Sequence, residues 1–239
     1  MSRARLIVSR CPEPGARVVI TGAEAAHARA RRLESGDPVA LVDGTGMESH
    51  GRLIRLTSSR AEVEIDDVIR TAEPQIDLTL LLSALRPERM AWVAEKATEL
   101  LASRIVLVAS ERAQGFRSSQ SNVARLSRVA REAAKQCESA RWPHVEGPVG
   151  LADAWREPGM HRFFLDLEGE PFPNDLEPGA VRILVGPEGG WSPAERMEAT
   201  VKGWKLVRLP AGKLRAETAA VAAMVLARAA LEKMDSSRR

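Results

Sequence analysis

From residue 76 onward, short apolar runs alternate with longer segments of helical period, and no other feature constrains the fold of this chain so closely. The runs "IDLTLLLSAL" (76–85), "RIVLVAS" (104–110), "HRFFLDL" (161–167), "AVRILVG" (180–186) and "WKLVRLP" (204–210) have the length and apolar continuity of buried strands. Residues 87–102, 121–139, 192–202 and 215–234 carry helical patterning. Pro87 sits near the start of the first, and "SPAE" from Ser192 to Glu195 gives the third a capping-box spacing. Such alternation predicts an α/β layer structure with a mainly parallel sheet.

Upstream of Pro74 the pattern shortens. "RVVI" (17–20), "PVALVDGTG" (38–46), "HGRLIRL" (50–56) and "AEVEIDDVI" (61–69) read as strands, and residues 22–37 as one short helix. A β-rich module over 1–73 and an α/β domain over 74–239 are therefore expected. The 239 residues, 44% of them hydrophobic, suffice for one substantial core or two smaller ones. A formal charge of +3 suits an anionic partner without the density of a nucleic-acid tail. Cys11 and Cys137 form neither a metal spacing nor a close pair, which favours a reduced, cytoplasmic setting. No apolar leader pattern opens the chain, and the tract 218–231 is short and broken by Arg228, so no membrane association is expected. No metal site is expected either, because no His, Cys, Asp and Glu residues cluster at ligand spacing.

Two segments follow predicted strands of the second domain: Gly186, Pro187, Glu188, Gly189 and Gly190, then "LPAGKLRAET" (209–218). Ligands of parallel sheets sit beyond the carboxyl ends of strands, so a shared pocket is physically reasonable. A glycine-rich strand-to-helix turn with no binding role fits the same residues. Neither segment has the Gly-Lys-Ser/Thr ending of a P-loop or a Gly-x-Gly-x-x-Gly spacing.

Taken as a series, "RMAWVAEKATEL" (89–100), "SERAQGF" (110–116), "REAAKQC" (131–137), "ILVGPEGGWSPAE" (183–195) and "LRAETAAVAA" (214–223) resemble the motifs of the ribosomal small-subunit methyltransferase E family, within the SPOUT methyltransferases. The stretch "HARARRLESGDPVALVDGTG" (27–46) resembles that family's N-terminal PUA-like β-barrel, an RNA-binding module. The resemblance implies a C-terminal deep trefoil knot, a homodimer, S-adenosylmethionine as methyl donor, and methylation of uridine N3 in 16S ribosomal RNA, with the assembled small subunit as partner. It places the donor against Leu165, Leu184, Gly186, Pro187, Glu188, Gly189, Gly190, Leu209, Leu214 and Thr218. It makes Arg215 and Glu217 the candidate catalytic residues.

Uracil N3 carries a proton, so the chemistry calls for a cation facing the developing negative charge and an acceptor for the proton. Arg215 fits the first role. Glu217 fits the second, or else orients Arg215 or binds on the donor side. Glu188 fits binding or loop orientation, and Thr218 also suits a helix-capping role. Lys96 and Glu99 are spaced for an exposed helical pair worth about 0.3 kcal/mol, or for contacts with RNA or a second subunit. Arg112 suits a phosphate or the pocket edge, and Gln136 suits RNA or a subunit boundary. Arg3, Arg5, Arg10, Arg29, Arg31 and Arg32 are candidate phosphate contacts of the first module, and His27 is a packing residue. Val221, Met224, Val225 and Leu231 suit either the core or a subunit interface.

Three departures stand out. Leu101-Ala102 replaces a common Gly-Val, Glu138-Ser139 replaces a common Gly-Arg with Arg141 nearby, and Pro210 stands where a glycine is familiar, removing a backbone donor. A different RNA methyltransferase of the same superfamily and a non-enzymatic RNA-binding protein are the competing readings.

Overall fold

The computed structural model describes residues 3–71, 77–113 and 120–236, the last four by backbone only. The expected boundary at residue 73 and the end of the "SERAQGF" motif at Phe116 lie outside the described residues. The chain divides into two compact units: Met1–Glu73 with Ala134–Trp142, and Pro74–Ala133 with Pro143–Arg239. The joining of residues 134–142 to the first unit is not visible in local patterning.

In the first unit, β1 (Ala4–Ile7), β2 (Arg17–Thr21), α1 (Gly22–Ala30), β3 (Pro38–Val42), β4 (Met47–Leu56) and β5 (Arg60–Arg70) follow in order. They form a curled five-stranded half-barrel with strand order β1-β3-β4-β5-β2, antiparallel except for the β1–β3 pair. Its core includes Leu6, Val39, Leu41, Leu53, Val63 and Ile65. The alternation of "AEVEID" puts Ala61, Val63 and Ile65 inside while Glu62 and Glu64 are half-exposed. Strand β1 has only four residues, too few to announce itself in the sequence.

The second unit contains β6 (Leu78–Ser83), α2 (Pro87–Glu99), β7 (Arg104–Ala109), β8 (His144–Gly150), α4 (Leu151–Ala154), β9 (His161–Pro171), β10 (Val181–Val185), α5 (Pro193–Val201), β11 (Lys205–Arg208) and α6 (Ala216–Ser236); α3 (Gln120–Gln136) begins in this unit and ends in the first. Its six strands run in the order β11-β9-β10-β6-β7-β8, and every pair is parallel. The central strands β6 and β10 are buried at every position, which explains their unbroken apolar sequence. Alternate residues part to opposite faces. Leu80, Leu82, Ile105, Leu107, Ile183 and Val185 pack with residues of α2 and α6, whereas Leu81, Val106, Val108, Phe164 and Leu184 pack with Trp155, Trp191, Ala199 and Trp204. On α6, Met224 and Leu231 belong to the core, while Val225 is exposed. Strand β8, with its "HVEGPVG" sequence, has too little apolar continuity to be read as a strand beforehand.

Helix ends in both units share one device. After α5, Gly203 N–H donates to Thr200 and Trp204 N–H to Ala199, with Gly203 at φ +77°. The same pair of bonds closes α1 around Arg32 at φ +55° and α2 around Leu101 at φ +55°, and the longer bond recurs after α3, from Ser139 to Ala134, beside Glu138 at φ +57°. This left-handed closure favours glycine. Leu101 and Glu138 are the residues that replace the glycines familiar at these places, so the helix exits keep their geometry and the chain bears the strain. Relief of the Cβ penalty of about 1–2 kcal/mol outweighs the added freedom of the unfolded chain, about 0.5–1 kcal/mol. Leu101→Gly should therefore raise the unfolding temperature by about 1–3 °C. Ala102→Gly, which deletes a buried methyl one residue later, should lower it. Thermal unfolding of the two variants beside the parent checks both signs.

Candidate active site

Because all pairings of the large sheet are parallel, the segments after β6, β7, β10 and β11 leave from one edge. The segment after β10 begins at Gly186, turns through Pro187–Gly190 with Gly190 N–H donating to the Pro187 carbonyl (2.9 Å), and enters α5 through Ser192. Gly190 lies at φ +69°, which suits its residue type.

Trp191 anchors this segment. Its indole is buried, stacks on Phe164 with ring centroids 4.4 Å apart, and donates Nε1–H to the Leu165 carbonyl at 3.0 Å. A Cβ built on Gly186 would stand 2.8 Å from Trp191 Cε2. The glycine is thus a packing requirement of the indole as well as an opening in the loop.

The capping box at Ser192 forms as expected: Glu195 N–H donates to Ser192 Oγ (3.3 Å) and Ser192 N–H to Glu195 Oε2 (2.7 Å). Glu195 also accepts the Glu111 N–H from the segment after β7, at 2.9 Å. Arg112 donates to the Trp191 carbonyl at 3.2 Å. Its structural part is therefore to brace the glycine-rich loop.

The two segments singled out in the sequence meet through a residue not assigned to the site there. Arg89, in the first turn of α2, places Nη1 2.6 Å from Glu188 Oε1 and Nε 3.4 Å from Glu217 Oε1. The signal was available in the opening Arg of "RMAWVAEKATEL", but nothing local distinguishes it from an exposed helical arginine. Glu217 Oε2 is buried and has no hydrogen-bond partner among the described residues. The carboxylate of Glu217 is therefore paired with Arg89, and among the described residues no hydrogen bond or ion pair joins it to Arg215. The Arg215 side chain is exposed and makes no hydrogen bond or ion pair among the described residues.

The remaining candidates spread over the same edge. Leu209 packs partly into the core, Leu214 is half-buried, Thr218 is exposed, Pro187 is buried and Glu188 is exposed. Leu184 is fully buried and paired on both sides within the sheet, with Leu81 and with Phe164. Lys96 Nζ lies 2.8 Å from both Glu95 and Glu99, as a helical charge cluster. Gln136 is exposed. In the first unit Arg5 pairs with Glu48 at 3.0 Å and Arg3 bonds His50 at 3.0 Å, while Arg10, Arg29, Arg31 and Arg32 are exposed. Among the described residues no group of His, Cys, Asp and Glu is placed to hold a metal ion, and no helix is long and apolar enough to cross a membrane.

The RNA methyltransferase domain family matches residues 71–228. The ribosomal RNA small subunit methyltransferase E of Aquifex aeolicus is 30% identical over 209 residues, covering 85% of this chain and 90% of that protein. Its counterpart from Mycobacterium bovis is 30% identical over 233 residues, covering 91% and 88%. The chain belongs to the ribosomal RNA small subunit methyltransferase E family. The crystal structure of the Neisseria gonorrhoeae member, bound to S-adenosyl methionine, superposes with a TM-score of 0.90 at 27% identity, over 96% of this chain and 98% of that one. Membership in this SPOUT family accounts for the joint presence of the glycine-rich loop and the "LRAET" segment.

The packing around Trp191 makes a direct test. Gly186→Ala should cost about 1–3 kcal/mol of stability by overpacking against the buried indole. Gly212→Ala, whose Cβ meets nothing within 4 Å, should stay within about 0.5 kcal/mol of the parent. Urea unfolding followed by tryptophan fluorescence measures both.

Proposed function

We propose that this protein transfers a methyl group from S-adenosylmethionine to N3 of a uridine in 16S ribosomal RNA, acting on small subunits in the cytoplasm. The observation that carries the reading is the convergence of the 186–190 loop and the start of α6 on Arg89, in a chain of this family. The donor fits the residues present: the loop has glycines at 186, 189 and 190, which leave its main chain open to a ligand. Leu165, Gly186 to Gly190, Leu209, Leu214 and Thr218 would hold it, with the buried Leu184 supporting them from within the sheet. The donor supplies an electrophilic methyl carbon on a sulfonium.

The protein must remove the N3 proton and stabilise the charge left on uracil. Arg215, exposed at the edge of the sheet and without an ion pair among the described residues, is suited to face a uracil carbonyl oxygen as that charge grows. Glu217 is suited to take the proton on Oε2, since its other oxygen is engaged by Arg89. Residues 1–73 act as a PUA-like RNA-binding barrel, with Arg10, Arg29, Arg31 and Arg32 available to phosphates. Residues 74–239 form the SPOUT methyltransferase domain with a C-terminal trefoil knot. Two copies assemble as a homodimer, for which the exposed Trp92 and Val225 offer apolar surface.

Nucleoside mass spectrometry of assembled small subunits and naked RNA, after incubation with protein and donor, should reveal N3-methyluridine. A product methylated on ribose or another base would reject the assignment. Arg215→Ala should lower kcat by about a hundredfold or more while calorimetric donor affinity changes by less than about threefold. Donor binding should persist after exhaustive chelation. Sedimentation equilibrium should give twice 26.0 kDa; an active monomer would remove the dimer from the catalytic requirement.

A further inference from the structure

Resting on that reading, we infer that Arg89 is a positioning residue: it fixes the Glu217 carboxylate so that Oε2 receives the N3 proton of the substrate uracil, and it ties that acceptor to the glycine-rich loop.

The geometry has three parts. The guanidinium meets two carboxylates from segments far apart in sequence, Glu188 Oε1 at 2.6 Å and Glu217 Oε1 at 3.4 Å. The Glu217 side chain retains only 12% of its exposure. Its second oxygen is out of contact with solvent and lacks a partner among the described residues. A buried carboxylate oxygen without a donor is costly, and a ligand N–H is the group that satisfies it. Once Oε1 is held, the planarity of the carboxylate leaves Oε2 little choice of direction.

The nitrogen of an imide, with one acidic N–H between two carbonyls, matches this acceptor. As methyl joins N3, the N3 proton passes to Glu217 Oε2 and the carbon–sulfur electron pair stays with sulfur, leaving a neutral thioether and a protonated carboxyl group. The forked guanidinium reaches Glu188 through Nη1 and Glu217 through Nε, two donors in fixed relation. A lysine in its place would keep the charge but share one ammonium between them, without that fixed spacing.

The test is a double-mutant cycle on methyl transfer to small subunits, with Arg89→Gln, Glu217→Gln, their combination, and Arg89→Lys. Donor affinity is measured by calorimetry and folding by thermal unfolding. Loss of the acceptor should lower kcat by about a hundredfold or more. Misplacing it by about 1 Å should cost on the order of a hundredfold. The double variant should be no slower than the slower single variant, because both changes remove one function. Arg89→Lys should recover part of the rate, and donor affinity should move by less than about fivefold in every variant. Losses that multiply in the double variant, an unaffected rate in Arg89→Gln, or an unaffected rate in Glu217→Gln would overturn the inference while N3-methyluridine formation by the parent still upheld the reading beneath it. Absence of N3-methyluridine from the parent reaction would overturn both.

Discussion

The parallel pairing of all six strands of the large sheet is the constraint from which the site follows. Parallel strands need crossover connections, and those crossovers cover both faces and carry the chain back before each new strand. Their carboxyl ends are consequently collected on one edge, where the segments after β6, β7, β10 and β11 emerge. Residues as far apart as Arg89, Arg112, Glu188 and Glu217 can meet there without any long loop being held in place by itself. The two apolar faces, split by residue parity along β6 and β10, make that edge rigid. Trp191 transmits the rigidity to the glycine-rich loop, since the indole is locked into the sheet's second face while its carbonyl holds Arg112.

How far the sequence discloses this arrangement depends on the range of the interaction. Period and apolar continuity locate β6, β7, β9, β10, β11 and the longer helices because those signals are local. They miss β1, which is four residues long, and β8, whose apolar residues are interrupted by Glu146, Gly147 and Pro148. The Ser192–Glu195 box is legible for the same reason, being made within one turn. That Glu195 also accepts from Glu111 is not legible, because the partner lies 84 residues away. At the site, the glycines and "LRAET" mark where chemistry is possible, while the pairing of Glu217 with Arg89 across the two segments exists only in three dimensions.

The departures at Leu101 and Glu138 show a related point about local rules. A missing glycine invites the reading that the helix exit has changed. Instead the backbone retains the left-handed turn, and the residues forced into it are those whose side chains have somewhere to go: Leu101 and Glu138 are both exposed. The hydrogen bonds of Ala102 to Ala97 and Ser139 to Ala134 satisfy carbonyls that would otherwise be left at the helix ends. Tertiary geometry outweighs the preference of a single residue.

Stability alone does not explain why one guanidinium faces two carboxylates. Glu188 keeps 42% of its side-chain exposure, so its pairing with Arg89 is screened and worth about 0–1 kcal/mol. The more buried Glu217 is a different matter, because its charge has left water and must be matched. Counting Arg89 and Arg215 against Glu188 and Glu217, the four side chains sum to zero. Under the proposed reaction the N3 proton moves to Glu217 within this set, so the total charge, which is that of the positive donor alone, stays the same as N3 becomes anionic. Charge is relocated over a short distance and none is created, the condition a partly desolvated site favours. Arg89 makes this possible by keeping Glu217 in place without leaving an unmatched anion there before the transfer and by remaining paired with Glu188 after it.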